Sequence, residues 1–281
     1  MSKFQKYLSI IVPFFFAIGI HIGTGIIGGL LHSLIYLIFS LLSRWEFTKS
    51  ASINKILDIM ITKESYFFKI LTIISAIICI IIFYFWYRKY NPNNLKTEIY
   101  RIRSLKSICL LFILSLSYSL FEIGTINLIA TEHYNIFQNY VNMVNQFHSG
   151  NQIIRYLYSL LIAPISEELI FRGMILTKAS KELTFLKANI LQSVLFGLYH
   201  MNIIQGVYTF IAGLLLGYIA FKFKTIMASI ILHSFLNLNL GRFFFENLYP
   251  SKAYLVNCCL VGLVLFLIIM RIIKKQNMYE F

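Results

Sequence analysis

Apolar runs of membrane length, separated by short clusters of lysine and arginine, set the pattern of this chain. A helix that crosses a bilayer needs about 20 apolar residues. Eight stretches approach or exceed that length: Ser9 to Ser43, Tyr66 to Trp86, Ser107 to Ala130, Ile153 to Phe171, Thr184 to Tyr199, Ile203 to Phe221, Thr225 to Leu240 and Tyr254 to Met270. The first contains no Asp, Glu, Lys or Arg and reads as one long crossing. Lys3 and Lys6 precede it, but the run continues far past signal-peptide length, so it is expected to be retained. Several later stretches are short or broken by polar residues, as in helices that line a polar interior.

The basic clusters assign the sides of the membrane. Lys3 and Lys6; Arg88, Lys89, Lys96, Arg101, Arg103 and Lys106; Lys178, Lys181 and Lys187; Lys222 and Lys224; and Arg271, Lys274 and Lys275 all belong in the cytoplasm. The loop Thr131 to Gly150 has no Lys or Arg and falls outside, with His133 and His148 solvated in it. Eight crossings with both termini cytoplasmic satisfy the alternation. The segment Arg44 to Glu64 is the exception, because it falls outside while holding Arg44, Lys49, Lys55 and Lys63. The expected fold is therefore an all-α polytopic membrane protein with about eight transmembrane helices around a polar cavity. It forms a single membrane domain, 1–281, with the chemistry-bearing core at 153–240.

Composition agrees with this reading. The 281 residues are 58% hydrophobic and 13% charged, and the mean hydropathy is +0.74, well above the roughly 45–50% apolar content of soluble domains. The net charge of +14 lies in the inter-helix clusters and encodes topology, which excludes nucleic acid as a partner and leaves membrane lipid. Cys79, Cys109, Cys258 and Cys259 show no C-x-x-C spacing and read as small buried hydrophobes. Trp86 reads as a boundary anchor. The abundance of Ile, Phe, Tyr, Lys and Asn resembles an AT-rich bacterial coding sequence, which places the chain in a bacterial plasma membrane.

Charges inside apolar runs are costly without a partner, a wet cavity or a proton. LIAPISEELIFRGMIL, Leu161 to Leu176, holds three of them. Glu168 and Arg172 are four apart and can pair across one helical turn, whereas Glu167 points about 100° away and is left over. Pro164 is expected to open or kink this helix. His200 closes the stretch FGLYH, and His233 and Asn237 lie one turn apart in HSFLN. Gly213 and Gly217, in GLLLG, let another helix approach closely. Gly19, Gly23, Gly25 and Gly29 suggest a packing seam around His21 and His32, which read as packing or hydrogen-bonding residues. Glu122 either lines the cavity or is held by Tyr118 or another helix.

Glutamate, two histidines and an asparagine suffice for peptide hydrolysis. Glu167 can take a proton from water, one histidine can orient that water, and the other histidine with Asn237 can donate to the developing oxyanion. Alternatively Glu167, His200 and His233 hold a divalent metal such as zinc, although no H-E-x-x-H is present. Each feature also has a structural reading. Glu168 with Arg172 is then an ion pair, His200 a headgroup-boundary residue, and His233 with Asn237 an interhelical clamp.

The order of these motifs resembles the CPBP intramembrane protease family, also called the CAAX protease and bacteriocin-processing or Abi family. EELIFR matches its E-E-x-x-x-R, FGLYH its F-x-x-x-H and HSFLN its H-x-x-x-N. The resemblance implies a conical bundle of eight helices around a cavity open toward the cytoplasm or the adjacent leaflet. It further implies that Glu167 and His200 activate water, His233 and Asn237 form the oxyanion hole, and Glu168 and Arg172 support the site. No cofactor is required in that mechanism; an older family reading uses zinc. The implied substrate is a membrane-associated peptide or protein, with prenylated proteins secondary to bacteriocin-type or signalling peptides. A non-catalytic immunity or signalling scaffold of the same fold is the alternative, followed by a transporter.

Overall fold

The computed structural model describes residues 2–44, 64–91, 95–102, 104–148, 151–238 and 251–275, and all regular structure within them is helical. The helices are α1 (Lys3–Arg44), α2 (Glu64–Tyr90), α3 (Leu95–Tyr100), α4 (Leu105–Glu132) and α5 (Tyr134–His148), then α6 (Gln152–Leu157), α7 (Ala163–Glu168) and α8 (Thr177–Glu182), and last α9 (Phe185–Tyr199), α10 (Ile203–Phe223), α11 (Ile226–Asn237) and α12 (Lys252–Lys275). Two π-helical segments, Tyr158–Ile162 and Leu169–Leu176, join α6, α7 and α8 into one continuous rod, 152–182.

Among the described residues, five helices are long and apolar enough to cross a membrane: α1, α2, α4, α10 and α12. The chain is a multi-pass helical membrane protein. The other three expected crossings correspond to the rod, α9 and α11; α9 has 15 residues and α11 has 12, about 22 Å and 18 Å of rise. The stretch Ser9 to Ser43 is one helix, with Pro13 inside it. The loop with Lys49, Lys55 and Lys63, and Leu240 at the end of HSFLN's helix, lie outside the described residues.

Three antiparallel pairs build the bundle around the rod: α1 with α2, α4 with α12 and α9 with α10. Small residues set the closest approaches. A Cβ on Gly262 would fall 2.5 Å from the Phe121 nitrogen of α4, and one on Gly197 would fall 2.6 Å from the Gly206 carbonyl oxygen of α10. Gly213 faces Ser193 and Gly217 faces Asn189, so GLLLG is a close-packing face against α9. The glycine seam expected on α1 is not there: Gly19, Gly23, Gly25 and Gly29 meet nothing within 4 Å, and only Gly28 faces α2, at Leu71. The buried stripe on α1 runs instead through Ile10, Phe14 and Ala17, toward His21 and Gly28. That is the i, i+3, i+4 face, which a four-residue glycine spacing does not define.

The rod packs against α1, α2, α9 and α11, and every residue of Leu169–Leu176 is buried. Of the cysteines only Cys79 is buried; Cys109 is exposed on α4 and the other two are half-buried. The segment read as an outer loop contains α5, whose Phe137 is buried. Trp86 stacks on Phe83, and the Lys178 ammonium sits 4.6 Å from its ring centre.

Candidate functional site

The rod begins at Asn151, whose side-chain oxygen accepts from the backbone N–H groups of Ile153 and Ile154. Pro164 does not open it. Proline has no N–H to give, and the preceding turn widens to a π-helix in which the Ala163 N–H reaches the Tyr158 carbonyl. In the second π segment the Thr177 hydroxyl donates to the Arg172 carbonyl at 3.0 Å. Such wide turns leave irregular carbonyls that side chains can satisfy. Glu167 and Glu168 lie between the two segments and therefore face different surroundings.

Glu168 and Arg172 are fully buried and paired, with Arg172 Nη1 donating to Glu168 Oε1 at 2.8 Å. Arg172 Nη2 donates to the Gly213 carbonyl at 3.1 Å, and the guanidinium lies 4.6 Å from the Phe196 ring centre. His233 closes the cluster, its Nδ1 at 2.8 Å from Glu168 Oε1. A carboxylate only accepts, so Nδ1 carries the proton. His233 Nε2 then faces Glu167 Oε2 at 3.7 Å, and the Glu167 side chain keeps 14% exposure.

Tight turns hold the remaining residues in place. His200 ends α9, Met201 takes the left-handed conformation (φ 51°), and Asn202 caps α10 by accepting from the Gln205 N–H at 3.0 Å. The chain thus reverses within two residues of His200. Lys224 (φ 50°) and Thr225 repeat the device between α10 and α11, with the Thr225 hydroxyl oxygen accepting from Met227 N–H. Thr225 in turn donates to Glu98 of α3, a buried carboxylate that also accepts from Tyr87 at 3.1 Å. The position of α11, and with it His233 and Asn237, is anchored at its start by this network. Asn237 Nδ2 donates to the Ser159 carbonyl at 2.8 Å, in the first π segment.

Beside the cluster lies a cavity of about 310 Å³, lined by Glu167, His200, His21, Tyr158, Ser166, Tyr199 and Gln205 together with Ile18, Ile22, Ala76, Ala163 and Met201. His200 Nδ1 donates to the Phe196 carbonyl at 2.9 Å, so the neutral ring keeps Nε2 as an acceptor. His21 joins from α1. The Ser75 hydroxyl donates to the Thr72 carbonyl at 2.8 Å, so it accepts from His21 Nδ1 at 2.6 Å, and His21 Nε2 accepts the Tyr199 hydroxyl at 2.5 Å. The lone pairs of Tyr199 are thereby left to other donors.

The fold brings Glu167, Glu168, Arg172 and His233 into contact and places His200 in the same cavity as Glu167. Asn237 is held one turn beyond His233 on the Ser159 carbonyl. The reading of His21 as a packing or hydrogen-bonding residue covers its bonds to Ser75 and Tyr199 but not its place on the cavity, and it does not single out Tyr199, Tyr158 or Gln205. The available signal for Tyr199 was its place beside His200. Glu122 is not among the cavity residues. It lies near Tyr118, Tyr140 and Tyr208, with the Tyr118 hydroxyl donating to the Tyr208 carbonyl at 2.9 Å. Among the described residues no three His, Cys, Asp or Glu side chains converge in a way that could hold a metal ion.

A family model described as type II CAAX prenyl endopeptidase Rce1-like matches the chain. The match covers residues 149–239. That is roughly a third of the chain, and it holds all three motifs and the Glu168–Arg172–His233 cluster, in accord with a CAAX-protease-like core. No curated protein and no solved structure matches the chain.

Proposed function

We propose that the protein is an intramembrane endopeptidase that hydrolyses a membrane-associated peptide or protein with water activated by Glu167. The observation that carries this reading is the division of labour between adjacent glutamates: Glu168 is neutralised by Arg172 in the core, while Glu167 reaches the cavity. A buried carboxylate with a cation beside it is structural, and an unneutralised one beside water is a base.

In this mechanism water in the cavity donates one hydrogen to Glu167 and the other to His200 Nε2. Its oxygen attacks the scissile carbonyl carbon as Glu167 takes the first proton. The oxyanion accepts from His233 and Asn237. Since His233 Nδ1 already donates to Glu168, donation from Nε2 requires a second proton on the ring. Asn237 spends one N–H on Ser159 and keeps its second for the oxyanion. Collapse of the tetrahedral intermediate breaks the C–N bond, and protonated Glu167 returns its proton to the leaving amine.

The rod, α9 and α11 complete eight crossings with both termini cytoplasmic, in the plasma membrane of a bacterium. The test is cleavage of a cell-membrane peptide and protein pool by purified protein, with products read by mass spectrometry. Native protein should yield products that Glu167→Gln does not, with and without chelator. Loss of the products on chelation would replace the water-only mechanism with a metal-assisted one. Products unchanged in Glu167→Gln would remove Glu167 as the base, and none from either protein would favour a binding scaffold of the same fold.

A further inference from the structure

Three helices measure where the cavity lies between the two ends of the bundle. Along α1, Lys6 to His21 is about 22 Å of rise; along α9, Lys187 to His200 is about 20 Å; along α10, Lys222 back to Gln205 is about 25 Å. The basic residues at the near ends of these helices belong to one face. Lys6 pairs with Glu182 at 3.4 Å, Lys178 donates to the Ser9 carbonyl at 3.2 Å, Arg101 donates to the Lys224 carbonyl, and Lys222 donates to the Lys274 carbonyl at 3.0 Å. The amino-terminal start of α1, the end of the rod and the ends of α10 and α12 therefore share one basic face. At the far face, among the described residues, α4 and α12 meet in the pair Glu132 with Lys252 beside exposed His133, and α2 carries Lys69 near its start. Arg155 is the cation that the rod contributes there.

The cavity sits toward the far face. His200, Met201 and Gln205 line it at the turn between α9 and α10, which is the end of that hairpin away from Lys187 and Lys222. Met201 is 75% exposed at the rim, Ile203 beyond it is 80% exposed, and Ile22 on α1 is 52% exposed. With a hydrocarbon core roughly 30 Å thick, a depth of 20 to 25 Å from the basic face puts the rim near the opposite interface. Basic residues concentrate on the cytoplasmic side.

The geometry points to a site entered from the non-cytoplasmic side of the membrane, and hence to a substrate presented there: an exported or membrane-inserted peptide segment whose backbone reaches the outer interface. This rests on the peptidase reading of the same cavity. It also departs from the opening toward the cytoplasm or its adjacent leaflet that the family resemblance implied, and it makes a prenylated carboxyl terminus, which is displayed in the cytoplasm, the wrong class of substrate. The apolar rim of Ile18, Ile22 and Met201 suits a lipid-embedded segment, and the polar interior of Glu167, His200, Tyr199 and Gln205 suits its peptide groups.

The experiment is site-directed labelling in bacterial spheroplasts with a membrane-impermeant maleimide, in a background where Cys109, Cys258 and Cys259 are replaced by serine. Met201→Cys and, as a second reporter, Ile203→Cys should label on intact spheroplasts, and Lys224→Cys only after permeabilisation. Labelling of Lys224→Cys from outside, with both rim positions protected until permeabilisation, would overturn the inference. So would labelling of all three from the same side. The readout is independent of turnover and so stands apart from the peptidase reading. That reading is tested in parallel by adding synthetic amphipathic peptides to right-side-out and inverted vesicles. Glu167-dependent products are expected from right-side-out vesicles; products confined to inverted vesicles would overturn the proposed side of entry, and products from neither would count against the peptidase itself.

Discussion

Two neighbouring carboxylates with the same chemistry are given different tasks by one residue of helical rotation. Glu168 is buried against Arg172 and His233, so removing the guanidinium leaves an uncompensated charge in the core. Arg172→Ala is expected to destabilise the protein by about 3–5 kcal/mol, read as a lowered melting temperature in detergent. Glu167→Gln alters only the long 3.7 Å contact with His233 Nε2 and should leave the melting temperature within a few degrees of native while abolishing turnover. The chain of donors from Tyr199 through His21 and Ser75 to the Thr72 carbonyl is directional, because each hydroxyl and each ring nitrogen has one role left once its neighbour is assigned. His21→Phe frees the Tyr199 hydroxyl to turn into the cavity and Tyr199→Phe removes it. Each should lower kcat by about tenfold, and the double variant should fall no further, since the pair acts as a unit. Losses that multiply in the double variant would mean that the two residues act separately.

At the scale of elements, helix contacts depend on atoms that are missing. Gly197 lies one turn before Met201, and a Cβ there would press on the Gly206 carbonyl, which is backbone and cannot swing aside. Gly197→Ala should cost about 1–3 kcal/mol and should also slow turnover by moving His200, measured as paired shifts in melting temperature and kcat. The start of α11 depends on Thr225, which caps the helix and holds Glu98. Thr225→Val keeps the volume but loses both bonds, a cost of about 2 kcal/mol that thermal unfolding would register. The two π segments were not visible in the sequence. Pro164 announced a lost hydrogen bond, but whether the helix breaks, kinks or widens depends on what packs around it, and here α1, α2, α9 and α11 enclose the rod.

For the whole molecule the governing feature is polarity along the membrane normal. One face gathers the lysines and arginines of several helix ends, and the cavity lies toward the other. Helical rise converts residue spacing into distance along each helix, so the distance of the cavity from the basic face follows from where His21, His200 and Gln205 stand relative to Lys6, Lys187 and Lys222. The bundle is closed by small-residue contacts and by a polar network between α9 and α10. In it Gln192 and Arg172 both donate to the Gly213 carbonyl, at 2.9 and 3.1 Å. This joins the supporting ion pair to the packing of the hairpin that carries His200.

The sequence by itself determined the membrane class, the all-helical character, the basic clusters at helix ends and the pairing of Glu168 with Arg172. All of these follow from composition or from spacings within one helix, where periodicity fixes geometry. It also marked Glu167, His200, His233 and Asn237 by their positions in apolar runs. The tertiary structure alone decided that His233 meets Glu168 across 65 positions of chain and that His21 meets Tyr199 across 178. It alone placed Asn237 on the Ser159 carbonyl and left Gly19, Gly23, Gly25 and Gly29 of α1 facing open space. Those contacts depend on which faces of distant helices turn toward each other, and that is set by packing among all the helices together, not by the periodicity of any one of them.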